Sequence, residues 1–180
     1  MQISCDLVLG LLNLISKKIV FGNKFLVKMP VKISKTTSIK IGRGGHIKLG
    51  KMSSFSPRTV ISATDNALIQ VGCKTGVNYN TVIVSRESIK IGNNVLIGPN
   101  VSIYDHDHNF ENGSLIREQG YLTSPIIIED DVWLGAGVTV LKGVHIGKGS
   151  IIGAGTVVTK NIPENSVVYS KNELIIKGRK

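Results

Sequence analysis

From Ile128 onward the chain repeats every six residues: Ile128, Leu134, Val140, Ile146, Ile152 and Val158 are all branched aliphatics. The residue four places after each is Val132, Val138, Val144, Ser150, Thr156 or Ile162, small or β-branched in every case. Six is not a helical period. It fits short strands that each end at a turn, where glycine (Gly135, Gly147, Gly153) relieves the backbone. Stacked hexads carry their aliphatic positions into one interior column, as in a solenoid. No helical stretch interrupts them, so a βαβ crossover is excluded. A sandwich would show alternation and hairpin turns instead. The expectation is an all-β chain, a parallel β-helix.

The beat continues upstream with slips. Val71, Val77, Ile83 and Ile89 hold one phase, and a two-residue slip gives Ile91, Ile97 and Ile103. Ile41 and Ile47 hint at an earlier copy, but between about residues 51 and 66 the phase is lost and an irregular coil is expected. Two segments lie outside the beat. Residues 5–20 predict a short amphipathic helix with Leu7, Leu11, Leu14 and Ile15 as its stripe. Residues 104–125 form a polar excursion loop, and a loop this long inside a repeat is more often functional than not. The expected division is a capping segment over 1–28, a β-helical domain over 29–169 and a basic C-terminal segment over 170–180.

Length and charge narrow the classes. A chain of 180 residues suits one well-buried domain. The net charge of +10 favours anionic partners. No aromatic–basic motif accompanies it, so nucleic-acid binding ranks last. Cys5 and Cys73 supply neither a disulfide framework nor metal-ligand spacing. With no signal-like N-terminus and no span of eighteen apolar residues, a cytoplasmic location is expected.

The excursion opens with Tyr104-Asp105-His106-Asp107-His108-Asn109-Phe110. Residue types alone favour a solvated polar loop, with a metal cluster as the rival. Position points to a third role, a general base, because the histidines sit where a repeat strand enters its one long loop and imidazole titrates near neutrality. Cys73, His46 and His145 read as turn, structural or solvated residues.

Residues 89–108 (IKIGNNVLIGPNVSIYDHDH) and 125–163 (PIIIEDDVWLGAGVTVLKGVHIGKGSIIGAGTVVTKNIP) resemble the hexapeptide-repeat O-acetyltransferases, both the galactoside and maltose enzymes and those of capsule and O-antigen polysaccharides. The resemblance implies a left-handed β-helix, a homotrimer, and acetyl-CoA as co-substrate in a groove between subunits. It implies His108, not His106, as the catalytic base and Asn78 as an active-site asparagine. Trp133, Ala136, Ala154, Thr159 and Lys160 match cofactor positions, with Lys177 a further candidate for the CoA phosphates and no metal required. Arg86 and Thr64 stand near acceptor-binding positions, an acidic one in the case of Arg86. The acceptor implied is a sugar hydroxyl. A xenobiotic acetyltransferase and a non-catalytic β-helical binding or scaffold protein are the alternatives. Beside Lys17 and Lys18, the helix of residues 5–20 is read either as a cap on the open end of the β-helix or as a peripheral contact with an anionic membrane.

Overall fold

In the computed structural model, which describes residues 5–111 and 113–171, the repeat strands bond in parallel to the strands one coil away. They form three faces of a prism. The first face stacks Phe25–Val27, His46–Leu49, Leu68–Val71, Ser88–Ile91, Ile126–Ile128 and His145–Ile146. The second stacks Lys32–Ile33, Ser54–Phe55, Gly76–Val77, Leu96–Ile97, Trp133–Leu134, Ile151–Ile152 and Val167–Val168. The third stacks Ser38–Ile41, Val60–Ala63, Val82–Ser85, Ser102–Tyr104, Thr139–Val140 and Val157–Val158.

Each hexad buries two of its six residues. Ile128, Leu134, Val140, Ile146, Ile152 and Val158 are all within 3% of full burial, and the residues four places on line the corners of the same core. A fully buried aliphatic side chain of this size contributes about 1.5–3 kcal/mol. The column therefore carries the stability of the fold.

The upstream phase is not lost between residues 51 and 66, as the sequence had suggested. Ser54–Phe55 and Val60–Ala63 take their places in the second and third faces with full pairing. What changes is coil length. Leu49 to its partner Val71 takes 22 residues, Val71 to Ile91 takes 20, and Ile128 to Ile146 takes 18. Extra residues arrive in pairs because strand side chains alternate. In Leu68–Val71 both Ile69 and Val71 point inward, so adding two residues keeps the column intact. With the excursion, Ile91 to Ile128 takes 37 residues, yet these two are direct partners across it.

The glycines after the aliphatic positions also work differently from expectation. Gly135, Gly147 and Gly153 do not have positive φ; the left-handed turn positions are Gly137, Gly143, Gly149 and Gly155. Gly135 is glycine because the next coil runs too close. A Cβ there would lie 2.7 Å from the Ala154 nitrogen. In the earlier coils the left-handed corners are taken by Asp65, Asn80, Asn94, Asn100 and Asp131, among others, and asparagine and aspartate tolerate that region best among non-glycine residues.

The N-terminal helix, Cys5–Phe21, lies over the first coil. Its buried side is Gly10 and Leu14, whereas Leu11 and Ile15 of the anticipated stripe are exposed. The side chain of Leu7 lies outside what the structure describes. Gly10 decides the orientation, since a Cβ there would collide with the Ile33 carbonyl, and no bulkier residue would let the helix approach so closely. Asn13 Nδ2 donates to the carbonyls of Ser34 (3.3 Å) and Thr37 (3.0 Å), satisfying backbone at the end of the prism. The helix thus packs against the first coil at this end of the prism. The first coil already starts at Phe25, ahead of the boundary placed at residue 29.

Candidate active site

The excursion leaves the prism where the third face turns toward the first. Ile103 is the last aliphatic inside, and alternation turns Asp105 inward as well; it is fully buried. A carboxylate is stable there because donors surround it. Its Oδ2 accepts from Ser85 Oγ (2.6 Å) and from the N–H groups of Glu87 (2.9 Å) and Ser88 (2.8 Å). Its Oδ1 accepts from the Arg86 N–H (2.8 Å) and faces His106 Nδ1 at 3.1 Å. Burial pushes the carboxyl upward, but the Ser85 hydroxyl and the Arg86 and Glu87 amides outweigh it and leave its pKa below the ordinary carboxylate value. Asp105 therefore ties the corner of one coil to the root of the excursion.

Part of the expected polar loop is a two-stranded hairpin, His106–His108 against Tyr121–Thr123. Alternation puts His106 and His108 on the side of Tyr121, while Asp107 reaches Lys142 Nζ at 2.7 Å. Tyr121 is the centre of the cluster. The His108 ring packs against it with centroids 4.6 Å apart, His106 meets it edge-on at 5.5 Å, and the Arg86 guanidinium carbon lies 3.4 Å from its centroid. A cation over a tyrosine face is attracted by the ring quadrupole. Asp65 holds the other side of Arg86 at 2.9 Å. Asp105 holds His106 and Asp107 holds Lys142. His108 is exposed, and its placement comes from the Tyr121 ring.

A second group of site residues gathers elsewhere. Asn78, Trp133, Gly76, Leu96 and Gly98 line an open groove on the second face. Trp133 is 52% exposed and lies outside the core. The Asn78 Oδ1 accepts the Tyr79 N–H at 2.8 Å, which leaves its amide nitrogen to donate. Ala136 and Ala154 occupy successive exposed turns after the second face. Their neighbours' amides are bonded, Gly135 to Ile152, Gly137 to Pro99 and Gly153 to Val168. Among the described residues the N–H groups of Ala136 and Ala154 have no acceptor.

Thr159 and Lys160 are exposed after the third face, on the same edge as the root of the hairpin. His108 does not line the groove of Asn78 and Trp133. One chain therefore brings together the histidines with Tyr121, and Asn78 with Trp133, but not these two groups with each other. Lys177 lies outside the described residues.

The remaining candidates have structural partners. Thr64 Oγ1 donates to the Ser85 carbonyl at 3.0 Å, and the half-buried Cys73 donates its N–H to Asn93. His46 and His145 sit in different coils of the first face, and His145 Nε2 lies 2.8 Å from Glu129. The sequence reading missed Tyr121 and Ser85. Neither carries a motif, and each earns its role only through contact with residues 13 or more places away in the chain.

Comparison with known proteins gives a consistent result. Residues 125–160 match the family described as hexapeptide repeat of succinyl-transferase. WbbJ of Escherichia coli K12, which carries the name of a lipopolysaccharide biosynthesis O-acetyl transferase, is 30% identical over 96% of this chain and 88% of its own. The galactoside O-acetyltransferase of Lactococcus lactis is 45% identical over 53% of this chain, and the match spans 46% of that enzyme. Among solved structures, the hexapeptide-repeat acetyltransferase VCA0836 of Vibrio cholerae, complexed with acetyl coenzyme A, is 33% identical. It superposes with a TM-score of 0.58 over 68% of this chain and 65% of that one.

Proposed function

The chain belongs to the hexapeptide-repeat acyltransferases, and on that premise we propose that it moves an acetyl group from acetyl-CoA to a hydroxyl of a saccharide in surface-polysaccharide synthesis. The observation that carries this reading is the pairing of an exposed imidazole packed on a tyrosine ring of a projecting hairpin with a separate groove lined by tryptophan and asparagine. The first group suits an acceptor hydroxyl and the second suits a thioester with an amide-rich arm. The co-substrate supplies an activated acetyl carbonyl. The likeness to WbbJ and the acetyl-CoA complex of the Vibrio protein support the two substrates.

His108 takes the proton of the acceptor hydroxyl as that oxygen attacks the thioester carbonyl. The bond to sulfur then breaks, and the imidazolium returns the proton to the departing thiolate. The Asn78 amide nitrogen or the Ala136 N–H donates to the carbonyl oxygen as charge develops on it. Trp133 covers the donor, Ala154 offers a further amide, and Thr159 and Lys160, with Lys177, supply polar and cationic contacts for its phosphates. Since His108 and the groove occupy different edges, the complete site forms between neighbouring copies of a homotrimer.

The test is thiol release from acetyl-CoA with a panel of mono- and oligosaccharides, with antibiotic alcohols as a second arm. His108→Ala is expected to lower kcat and kcat/KM together by about 10²–10⁴-fold. His106→Ala should cost far less. Activity that survives loss of His108 but not of His106 assigns the base to the Asp105–His106 pair instead.

A further inference from the structure

We propose that the N-terminal end of the prism docks on an anionic lipid surface, through the outer stripe of the capping helix and the basic residues around it. The charge of the chain is not spread evenly. Residues 1–60 hold eleven lysines and arginines against Asp6 as the lone acid, a net of +10, while residues 61–180 hold eleven of each sign. The whole excess therefore belongs to the helix and the coils beneath it. Lys24, Lys28, Lys32, Lys35 and Lys40 are all exposed on or beside the first coil, and none of them enters an ion pair among the described residues. No structural partner explains their accumulation.

The helix has a second apolar side. Val8, Leu12, Ile15 and Ile19 follow the i, i+4, i+7, i+11 spacing of one helical face, and that face points away from the prism. They are 48%, 56%, 47% and 78% exposed. Capping needs only the opposite side, where Gly10 and Leu14 meet the first coil. Leu26 and Met29 add exposed apolar surface at the same end. No helix among the described residues is long and apolar enough to cross a membrane, so the geometry is that of a helix lying in the lipid interface with its aliphatic side down.

Charge complementarity selects the occupant. A second copy stacked end to end would bring two ends of +10 together, which like-charge repulsion opposes. A nucleic acid would satisfy the lysines but gains nothing from an aliphatic stripe. An anionic bilayer satisfies both at once, and each basic residue near its surface strengthens binding about fivefold, an effect that fades with salt.

The full-length protein should float with vesicles of phosphatidylcholine and phosphatidylglycerol at low salt, not with phosphatidylcholine alone, and less at high salt. Leu12→Glu/Ile19→Glu should abolish flotation at unchanged melting temperature and transfer activity, and Lys28→Glu/Lys32→Glu should weaken it more than tenfold. Absence of flotation at any salt overturns the proposal. So does flotation that the Leu12/Ile19 variant leaves intact, because binding would then be charge adsorption without the helix. A change in solution mass in that variant also overturns it, by making the stripe an interface between copies.

Discussion

Asp105 occupies an inward position level with the buried Ser85 of the preceding coil, and it remains ionised there because that coil aims its corner amides at it. Removing the acceptor would leave those donors buried and unpaired. Asp105→Ala is expected to destabilise the fold by about 3 kcal/mol at neutral pH, read from urea denaturation. The pH dependence has a definite sign. The folded pKa lies below the unfolded one, so the contribution is full above the ordinary carboxylate range and disappears as pH falls through the folded value. The gap in melting temperature between the native protein and Asp105→Ala should therefore narrow on acidification. A gap that stays constant from neutral to acid pH would show that the carboxylate's charge contributes nothing. The same residue holds His106 by Nδ1, which reserves that imidazole for the root of the hairpin and leaves His108 the freer of the two.

At the scale of the turn and the strand, glycine serves two distinct purposes. Gly135 is needed because the Ala154 backbone passes within 2.7 Å of where its Cβ would be, whereas a Cβ at Gly76 would meet Ser54 Oγ at 3.7 Å and Leu96 at 3.9 Å, ordinary contacts. Gly135→Ala must push two coils apart and should cost about 1–3 kcal/mol. Because the displaced neighbour is Ala154, weaker acetyl-CoA binding should accompany the loss. Gly76→Ala should leave the denaturation midpoint unchanged. Urea titration of the two variants separates the cases, and equal denaturation midpoints would undo the close-approach argument. The helix follows the same logic, since Gly10 and not the aliphatic count chooses its inner side.

On the second face of the prism, Leu96, Trp133, Ile151 and Val167 stand in one exposed row, in register across four coils. An apolar row of this kind on a rigid solenoid suits a partner copy, as the proposed shared site requires. The expected solution mass is three times 19.4 kDa by light scattering. A sharper test mixes two variants. His108→Ala and Trp133→Ala chains are each expected to have little activity alone. Co-assembled, they should recover about a quarter of the native sites if each site takes its histidine and its tryptophan from different copies. A fully active monomer, or no recovery on co-assembly, would rule the shared site out.

The solenoid is legible in the chain alone. A side chain's inward or outward direction is set by alternation within a few residues, so Ile128 through Val158 name the core without any knowledge of the fold. The sequence also marked the histidines, because a polar excursion breaking a regular beat is visible as a break. Whatever depends on contacts 13 to 37 residues apart in the chain follows only from the folded arrangement. That includes which glycines answer to a close approach and which to a left-handed turn, how Asp105 stays charged in a core position, and how Tyr121 gathers Arg86 and both imidazoles. Coil lengths of 22, 20 and 18 residues read as a lost phase in one dimension, yet in three dimensions they close on the same column. Parallel stacking conserves the register between coils, while the strands admit extra residues two at a time and one corner admits a whole excursion.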